Sequence, residues 1–222
     1  MQNIYGVYGV GGFAREVMPL VVDHLKREGA LDGNVYFVTD PEFMPEADHV
    51  NGYPIVSYEA FKSLEANKRA INIAIADGKV RKTLHEQCIQ DGVDVFSIKA
   101  ANVVEMDEID LADGAVLSPF VTLTSNIKIG KCFQANLYSY VGHDCVIGDY
   151  VTFAPGVMCN GNVVIEDFAY LGSGAILRQG TPDKPLVIGS GAVVGAGSFV
   201  TKNVEAGTTV IGIPARKLGA RS

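Results

Sequence analysis

Two hydrophobic patterns divide the sequence near residue 100. Before this point, short runs of β-forming residues alternate with segments that repeat at the helical period. After it, apolar residues recur at every sixth position instead. Because a change of period marks a change of architecture, the pattern predicts two domains, residues 1–100 and residues 101–222.

Alternating strands and helices are predicted for the N-terminal domain. The expected strands are residues 4–8, 35–38, 71–75 and 93–97, and the expected helices are residues 15–28, 58–65 and 81–91. This alternation favours an α/β architecture, a small Rossmann-like parallel sheet covered by helices. Ligands of such sheets bind at the carboxyl ends of the strands.

Three loops follow these strands and form the expected ligand site of this domain. Their candidate residues are Gly11, Gly12, Phe13, Thr39, Asp40, Ala76, Asp77 and Lys79. Gly11 and Gly12 would let a phosphate approach the backbone at the N-terminus of the next helix, where N–H groups favour anions. The glycines also fit a plain tight turn, and Asp40 also fits a cap or turn, so the assignment depends on the convergence of the three loops.

A six-residue repeat begins near residue 109. Every sixth residue between positions 111 and 177 is apolar, and so is every sixth residue between positions 109 and 175, with the exception of Ser139. That makes 23 of 24 positions, whereas a hydrophobic content of 48% would give about half. Polar residues 178–186 interrupt the repeat, which resumes in a new phase at Ile188.

This repeat predicts a parallel β-helix, in which each hexad forms one short strand and one corner. Three hexads complete a coil, and the coils stack at about 4.8 Å. Alternate side chains point inward, which explains why the two apolar sets lie two residues apart. An ordinary β-sandwich, with less regular turn spacing, does not account for this pattern.

The composition restricts the class of protein. Of the 222 residues, 48% are hydrophobic and 19% are charged, which is enough to bury a core. The net charge of −7 argues against general nucleic-acid binding, which needs a basic surface. The four cysteines lack zinc-site spacing and suggest free thiols in a reducing compartment. Without a signal-peptide pattern or an apolar run that could span a membrane, we expect a cytoplasmic protein with no membrane partner.

The repeat region contains a single histidine, His143, which belongs to neither inward-facing set. An outward imidazole can accept a proton from an amine or hydroxyl at neutral pH. The carboxylate of Asp144 would stabilise the imidazolium that forms. The deprotonated group could then attack an electrophilic carbonyl carbon, and backbone N–H groups would hold the oxyanion. A surface histidine without a catalytic role is the alternative.

Cys145 offers a rival route through a covalent acyl intermediate. Its side chain falls in an inward-facing set, as that of Cys159 does. The pattern therefore favours core packing for both thiols.

The hexads, together with the segment Gly212-Ile213-Pro214-Ala215-Arg216, resemble the hexapeptide-repeat acyltransferases. Residues 8–16 (YGVGGFARE) and residues 73–81 (IAIADGKVR) narrow the resemblance. Essentially the whole chain is similar to the sugar acetyltransferases that include the bacillosamine N-acetyltransferases and the sialic acid O-acetyltransferases. The resemblance implies a left-handed β-helix, a homotrimer with active sites at its subunit interfaces, acetyl-CoA as the donor, and a UDP-linked sugar in the N-terminal domain.

The same resemblance gives roles to individual residues of the repeat region. His143 matches the general base of these enzymes, and Asp144 stands where they usually have Glu. Asn136 matches a position near the active site. Thr152 stands where a second histidine can lie near acetyl-CoA, and a threonine at that position can donate a hydrogen bond but cannot titrate.

The resemblance also bears on the two substrates. Thr39 and Asp40 match an acidic pair that reads uracil, although only one of them is acidic here. Acetyl-CoA is expected along the corners of the β-helix and near its C-terminal end. Its expected contacts are Gly142, Thr152, Gly172, Ser173, Gly195, Pro214 and Arg216. Small corner residues would let the pantetheine arm approach, and Arg216, Lys217 or Lys202 would meet the phosphates.

The sequence therefore predicts an acetyl-CoA-dependent N-acetyltransferase that acts on a UDP-4-amino-4,6-dideoxy sugar and uses no metal. O-acetylation of sialic acid, or of another surface-polysaccharide sugar, would use the same base. A non-catalytic nucleotide-sugar-binding scaffold is the alternative from another class. A zinc-dependent carbonic anhydrase would need three histidine ligands at one interface, which a single β-helix histidine does not supply. A dinucleotide-dependent oxidoreductase, suggested by the glycine loop, would leave the β-helix without a role.

Overall fold

The computed structural model describes residues 2–31 and 33–219, and its N-terminal domain contains a six-stranded sheet. The strands are β1 (Ile4–Tyr8), β2 (Val35–Thr39), β3 (His49–Val50), β4 (Tyr53–Ser57), β5 (Arg69–Ile73) and β6 (Asp94–Val95). Their spatial order is β3-β4-β2-β1-β5-β6, and all neighbouring strands are parallel apart from β3 and β4. This is the Rossmann-like sheet that the sequence predicts.

Helices cover both sides of this sheet. They are α1 (Gly12–Arg27), α2 (Tyr58–Ser63) and α3 (Gly78–Gln90), and a 3-10 turn lies at Pro41–Phe43. The predicted alternation is confirmed, although α1 and α3 each begin three residues before the expected start. The pattern missed the β3–β4 hairpin, in which His49 pairs with Pro54, because neither short strand shows an alternating apolar pattern.

A left-handed parallel β-helix with three flat faces follows the N-terminal domain. Face 1 contains β7 (Ile98–Lys99), β10 (Val116–Leu117), β13 (Gln134–Ala135), β16 (Thr152–Phe153), β19 (Tyr170–Leu171), β22 (Val193–Val194), β24 (Thr209–Ile211) and β25 (Arg216–Lys217). Face 2 contains β8 (Val104–Glu105), β11 (Thr122–Leu123), β14 (Tyr140–Val141), β17 (Met158–Cys159), β20 (Ile176–Leu177) and β23 (Phe199–Val200). Face 3 contains β9 (Ile109–Leu111), β12 (Ile127–Ile129), β15 (Val146–Ile147), β18 (Val163–Ile165) and β21 (Leu186–Ile188).

The chain runs from face 1 to face 2 and then to face 3 in every coil, so three corners run along the β-helix. We call them corner 1–2, corner 2–3 and corner 3–1 after the faces that they join. Strands of successive coils pair in parallel, as Tyr140 does with Met158. Among the described strands of the β-helix, β25 alone departs from this rule, because it returns antiparallel to β24.

The two apolar sets of the hexad pattern form the core of the β-helix. All members are buried except Ile109 and Leu111, which are half-buried in the first coil. The polar exception, Ser139, is buried as well. Its hydroxyl donates to the carbonyl of Ala154 and accepts from the backbone N–H of Val157, so the inward hydroxyl is fully satisfied.

Helix α3 packs directly on corner 3–1. A Cβ at Gly78 would lie 2.6 Å from the carbonyl oxygen of Tyr150, so the close approach requires glycine. The Tyr150 hydroxyl lies 2.8 Å from Nδ1 of His85, and its ring stacks on Phe168 with centroids 5.5 Å apart. The N-terminal domain is therefore fixed against the β-helix by side-chain packing.

In the part of the chain that the structure describes, no helix is long and apolar enough to cross a membrane.

Candidate active site

His143 and Asp144 form a hydrogen-bonded pair at corner 2–3, between β14 and β15. Nδ1 of His143 lies 2.6 Å from Oδ2 of Asp144, and the two side chains are 50% and 46% exposed. Asp144 has a left-handed backbone with a φ of 57°. When Nδ1–H donates to the carboxylate, the lone pair of the imidazole is on Nε2, where it can accept a proton.

The His143 ring lies against Gly161 of the next coil. A Cβ at position 161 would lie 2.6 Å from Cε1 and 2.8 Å from Cδ2 of the ring, and it would overlap Nε2. The backbone N–H of Asn162 donates to the carbonyl of His143 over 2.9 Å. Sequence reasoning missed Gly161, although its spacing of one 18-residue coil from His143 is the signal that identifies it.

The thiol of Cys145 lies inside the β-helix. Its Sγ is 4.0 Å from Sγ of Cys159 and 3.2 Å from the carbonyl oxygen of Asn160. Both thiols are fully buried, and the contact between the two thiols, together with burial, raises the pKa of Cys159. A thiol enclosed in this way cannot reach an acyl group outside, so the geometry favours core packing over the covalent route.

A cavity of about 260 Å³ lies between the two domains, on the outer side of face 1 and corner 1–2. The N-terminal domain lines it with Gly12, Phe13, Glu16 and Ala76. The β-helix lines it with Gln134, Asn136, Thr152, Phe153, Ala154, Pro155, Tyr170 and Ser173. The structure thus brings predicted residues from both domains into one site. The residues that sequence reasoning missed, such as Gln134 and Tyr170, are outward-facing side chains of face 1.

An adjoining cavity of about 490 Å³ shares Ala76, Thr152 and Tyr170 with the first. Asp77 and Lys79 line this second cavity. The Asp77 carboxylate accepts hydrogen bonds from the backbone N–H groups of Lys79 and Val80, at 2.8 and 3.1 Å. It therefore caps α3, while the exposed Lys79 side chain is free to meet an anion.

The glycine loop forms the start of α1. Gly11 is the N-cap residue, and no side chain caps the helix or places an acid in its first turn. Gly12, the first residue of the helix, borders the cavity. The first N–H groups of a helix have no partners within it and favour an anion, so this edge of the cavity suits a phosphate.

Thr39 and Asp40 lie at the carboxyl end of β2, where they differ in exposure. Thr39 is buried, whereas Asp40 is half-buried. The Tyr8 hydroxyl donates to Oδ1 of Asp40 over 2.7 Å, and burial together with this carboxylate raises the pKa of Tyr8 above its usual range. Tyr8 therefore stays protonated and holds the Asp40 carboxylate in a fixed orientation.

Thr152 belongs to a network between the domains. Its hydroxyl donates to the carbonyl of Ala76 over 2.9 Å and accepts from Nη2 of Arg81 over 3.0 Å. The single hydroxyl proton is therefore directed at the N-terminal domain. Sequence reasoning did not single out Arg81, which lies on α3 and is fully buried.

The residues expected to contact acetyl-CoA lie at several places along the β-helix. Ser173 lines the interdomain cavity, and Gly142 directly precedes His143. Added Cβ atoms at Gly142 and Gly172 would lie 2.6 Å from backbone atoms of the next coil, and one at Gly195 would lie 2.6 Å from the Ile211 side chain. These glycines are thus also required for the stacking of the coils.

At the C-terminal end of the β-helix, Pro214 is exposed near a cavity of about 290 Å³. That cavity is lined by Lys202, Arg216 and Lys217 among others, and Lys217 pairs with Glu205 over 3.2 Å.

His143 and the interdomain cavity lie on different corners of the same subunit. His143 is at corner 2–3, whereas Asn136, Ala154 and Pro155 of the cavity are at corner 1–2. Face 2 lies between these corners, and its outward side chains stack in register as a mostly apolar row, which we call the apolar stripe. The stripe consists of Val104, Thr122, Tyr140, Met158, Ile176 and Phe199. Val104 and Met158 are 49% and 40% exposed.

Among residues 2–31 and 33–219, no group of three or more His, Cys, Asp or Glu side chains could hold a metal ion.

The chain is similar to known proteins over almost its whole length, although no family model matches it. It is 47% identical over 217 residues to the GDP-perosamine N-acetyltransferase of Escherichia coli O157:H7, which covers 98% of this chain and 97% of the relative.

Two solved structures show the same arrangement of domains. WeeI from Acinetobacter baumannii AYE is 52% identical, with a TM-score of 0.92 over 98% of this chain and 100% of that one. PerB from Caulobacter crescentus, solved in complex with CoA and GDP-perosamine, is 25% identical, with a TM-score of 0.82 over 97% of each chain.

Proposed function

The chain belongs to the hexapeptide-repeat sugar acetyltransferases and is an acetyl-CoA-dependent amino-sugar N-acetyltransferase, and from this premise we propose that its acceptor is a GDP-linked amino sugar and its general base is His143. The observation that carries the proposal is the His143–Asp144 pair at 2.6 Å, with Nε2 free to accept a proton. The relative that is 47% identical is named GDP-perosamine N-acetyltransferase. This name supports a GDP-linked acceptor rather than the UDP-linked acceptor expected from the sequence.

Asp40 gives a chemical reason to prefer guanine over uracil. Guanine presents two adjacent donors, N1–H and the N2 amino group, which match the two oxygens of one carboxylate. Uracil presents a single N–H on the corresponding edge. Asp40 is held by Tyr8 at 2.7 Å, and its neighbour Thr39 is buried, so one fixed carboxylate is available to the base.

The acceptor's diphosphate would lie at the start of α1, beside Gly11 and Gly12, where free N–H groups favour anions. Phe13 and Ala76 continue the cavity from this loop toward Asn136 on the β-helix. An amino sugar linked to that diphosphate would therefore extend toward corner 1–2. Lys79, exposed in the adjoining cavity, supplies a further positive charge.

Chemistry at His143 follows from its hydrogen bond. Nε2 takes a proton from the acceptor amine as the nitrogen attacks the thioester carbonyl carbon of acetyl-CoA. The Asp144 carboxylate stabilises the imidazolium that forms. When the C–S bond breaks, the CoA thiolate leaves and takes the proton back from Nε2, so the base is restored and the products are the amide and CoA.

A homotrimer would bring the base and the acceptor cavity together. If face 2 of each subunit faces a threefold axis parallel to the β-helix, corner 2–3 of one subunit meets corner 1–2 of its neighbour. Rotation about such an axis does not change the position of a residue along the axis. His143 of the partner subunit would then lie level with Asn136, because both belong to the coil of β13, β14 and β15. The apolar stripe on face 2 supports this packing.

Acetyl-CoA would lie in the groove between subunits, with its acetyl group near His143. Ser173, Gly172 and Gly195 follow this groove from the cavity toward the C-terminal end of the β-helix. There Arg216 and Lys202 border a cavity and would meet the phosphates of CoA.

A panel of acceptors tests the proposal. GDP-perosamine, a UDP-4-amino-4,6-dideoxy sugar and sialic acid are each supplied with acetyl-CoA, and CoA release and the acetylated product are measured. We expect the highest kcat/KM with GDP-perosamine and loss of turnover in His143→Ala. A higher kcat/KM with the UDP sugar would overturn the choice of nucleotide, and acetylation of sialic acid alone would replace N-transfer by O-transfer. Near-native turnover of His143→Ala would remove the base.

A further inference from the structure

Arg81 is a fully buried cation that joins the two domains. Its guanidinium donates to the carbonyls of Ile75 and Ala76 in the N-terminal domain, at 2.6 and 3.1 Å. It also donates to the β-helix. The acceptors there are the carbonyls of Cys132, Tyr150 and Val151, the amide oxygen of Gln134 and the hydroxyl of Thr152, at 2.7–3.3 Å.

All of these acceptors are neutral, and among residues 2–31 and 33–219 no carboxylate forms an ion pair with Arg81. Asp77, whose charge acts on the guanidinium from the start of the same helix, uses its carboxylate to cap α3. Burial lowers the pKa of Arg81 to about 10, which still leaves it charged at neutral pH. A buried positive charge without a neutralising partner destabilises the folded state, which suggests that the charge at this position has a function.

The charge lies directly behind the wall of the interdomain cavity. Ala76, Gln134 and Thr152 line that cavity, and each accepts a hydrogen bond from the guanidinium. Glu16 is the one charged side chain among the residues described as lining the cavity itself. An anion that enters would therefore meet a negative side chain and no cation on the lining.

We propose that Arg81 supplies the positive charge that attracts the diphosphate of the nucleotide sugar into this cavity, acting through the wall formed by Ala76, Gln134 and Thr152. The inference rests on the proposed function, because it takes the cavity to be the acceptor site. Arg81 is a positioning residue, since its guanidinium is enclosed and does not touch the substrate. In a low-dielectric interior one charge acts over several ångströms with little screening.

A purely mechanical role, in which Arg81 only ties the domains together, makes different predictions. Lysine keeps the charge, but its three N–H donors cannot reproduce the five N–H groups of the guanidinium, which serve seven acceptors. Methionine has similar length and lacks both the charge and the donors. A comparison of Arg81→Lys with Arg81→Met therefore separates the effect of the charge from the effect of the hydrogen bonds between the domains. Arg69, another arginine of the N-terminal domain that is away from the cavity lining, provides Arg69→Met as the matched control.

The test measures GDP binding to each full-length variant by calorimetry at low and high salt, together with the KM for acetyl-CoA and Tm. UDP serves as a second probe, because the diphosphate is common to both nucleotides. We expect Arg81→Met to raise the Kd of GDP about tenfold at low salt and less at high salt. Arg81→Lys and Arg69→Met should stay within about threefold of the wild type, and the KM for acetyl-CoA should not change.

Equal weakening of GDP binding in folded Arg81→Lys and Arg81→Met would overturn the proposal in favour of the mechanical role. An unchanged Kd in Arg81→Met would overturn it too. If Arg81→Met does not fold, the result for Arg81→Lys decides. A tenfold loss of GDP affinity in this charged variant would contradict the proposal, whereas an affinity close to that of the wild type would support it. A wild-type protein that binds neither nucleotide would instead overturn the proposed function, and with it this inference.

Discussion

Nδ1 of His143 lies 2.6 Å from Oδ2 of Asp144, its neighbour in sequence. The two side chains meet at a corner where Asp144 takes a left-handed backbone with a φ of 57°. The hydrogen bond directs the lone pair of the imidazole to Nε2 and holds the ring in place. The ring also lies flat against Gly161 of the next coil. The orientation of the imidazole is therefore set by local contacts on a single coil and the one after it.

Asp144→Asn tests the contribution of the carboxylate charge. Asparagine tolerates the left-handed backbone, so the corner should stay folded with an unchanged Tm. The amide oxygen can still accept from Nδ1–H, but it cannot stabilise an imidazolium by charge. We expect kcat to fall about tenfold with little change in either KM. A higher KM with an unchanged kcat would instead show that Asp144 contributes to substrate binding and not to proton transfer at His143.

Gly161→Ala tests whether the position of the His143 ring against Gly161 matters for turnover. The added Cβ would overlap Nε2 and lie 2.6 Å from Cε1, so the ring must move. Since small displacements of a catalytic group are costly, kcat should fall roughly 10- to 100-fold. Gly219→Ala, where an added Cβ meets nothing within 4 Å, is the control for the glycine-to-alanine change. Native turnover in a folded Gly161→Ala variant would mean that the position of the ring is not critical.

The sequence pattern predicts the fold better than it predicts the site. Inward positions of the β-helix repeat every six residues, so Leu117, Phe133 and Val157 are identified as core without a structure. Arg81 is different, because nothing in its local pattern distinguishes it from an exposed helical cation. Its burial depends on how α3 packs on corner 3–1, which is a contact between residues 51 to 71 positions apart. Glu16 and Tyr170 enter the cavity for the same reason.

Burial of His85 predicts a pH-dependent stability. Desolvation lowers the pKa of His85, and its Nδ1 contacts the Tyr150 hydroxyl at the domain interface. The unfolded state, with an ordinary pKa of about 6.5, takes up a proton first as the pH falls. The contribution of neutral His85 to the free energy of unfolding is therefore fully present above about pH 6.5, and it is lost as the pH falls toward the lowered pKa of the folded state.

Thermal unfolding between about pH 7 and pH 5 checks this account. Tm of the wild type should decrease toward the acidic end, and the decrease should be smaller in His85→Gln. His49→Gln changes an exposed histidine and should follow the wild type. A His85→Gln variant with the full wild-type decrease would assign the acid sensitivity to other groups.

Met158→Glu tests the apolar stripe on face 2. Met158 is 40% exposed in the single subunit, and a charge there would be buried against a neighbour in the proposed trimer at a high cost. We expect the variant to elute as a smaller species and to lose turnover, although His143 and Asp144 are unaltered. Val146→Glu, at an outward position of face 3 that is 45% exposed, is the matched control and should remain trimeric. A trimeric, active Met158→Glu would place the interface on another face.

Mixed trimers test most directly whether the active site combines the cavity of one subunit with His143 of the partner subunit. His143→Ala removes the proposed base, and Ser173→Trp fills the cavity that Ser173 lines, so each variant alone should be inactive with GDP-perosamine and acetyl-CoA. When the two are co-expressed and assembled at random, a native base should meet a native cavity at roughly a quarter of the sites. We predict recovery of about that fraction of wild-type turnover. Mixed trimers that stay as inactive as both parents would contradict a site shared between subunits.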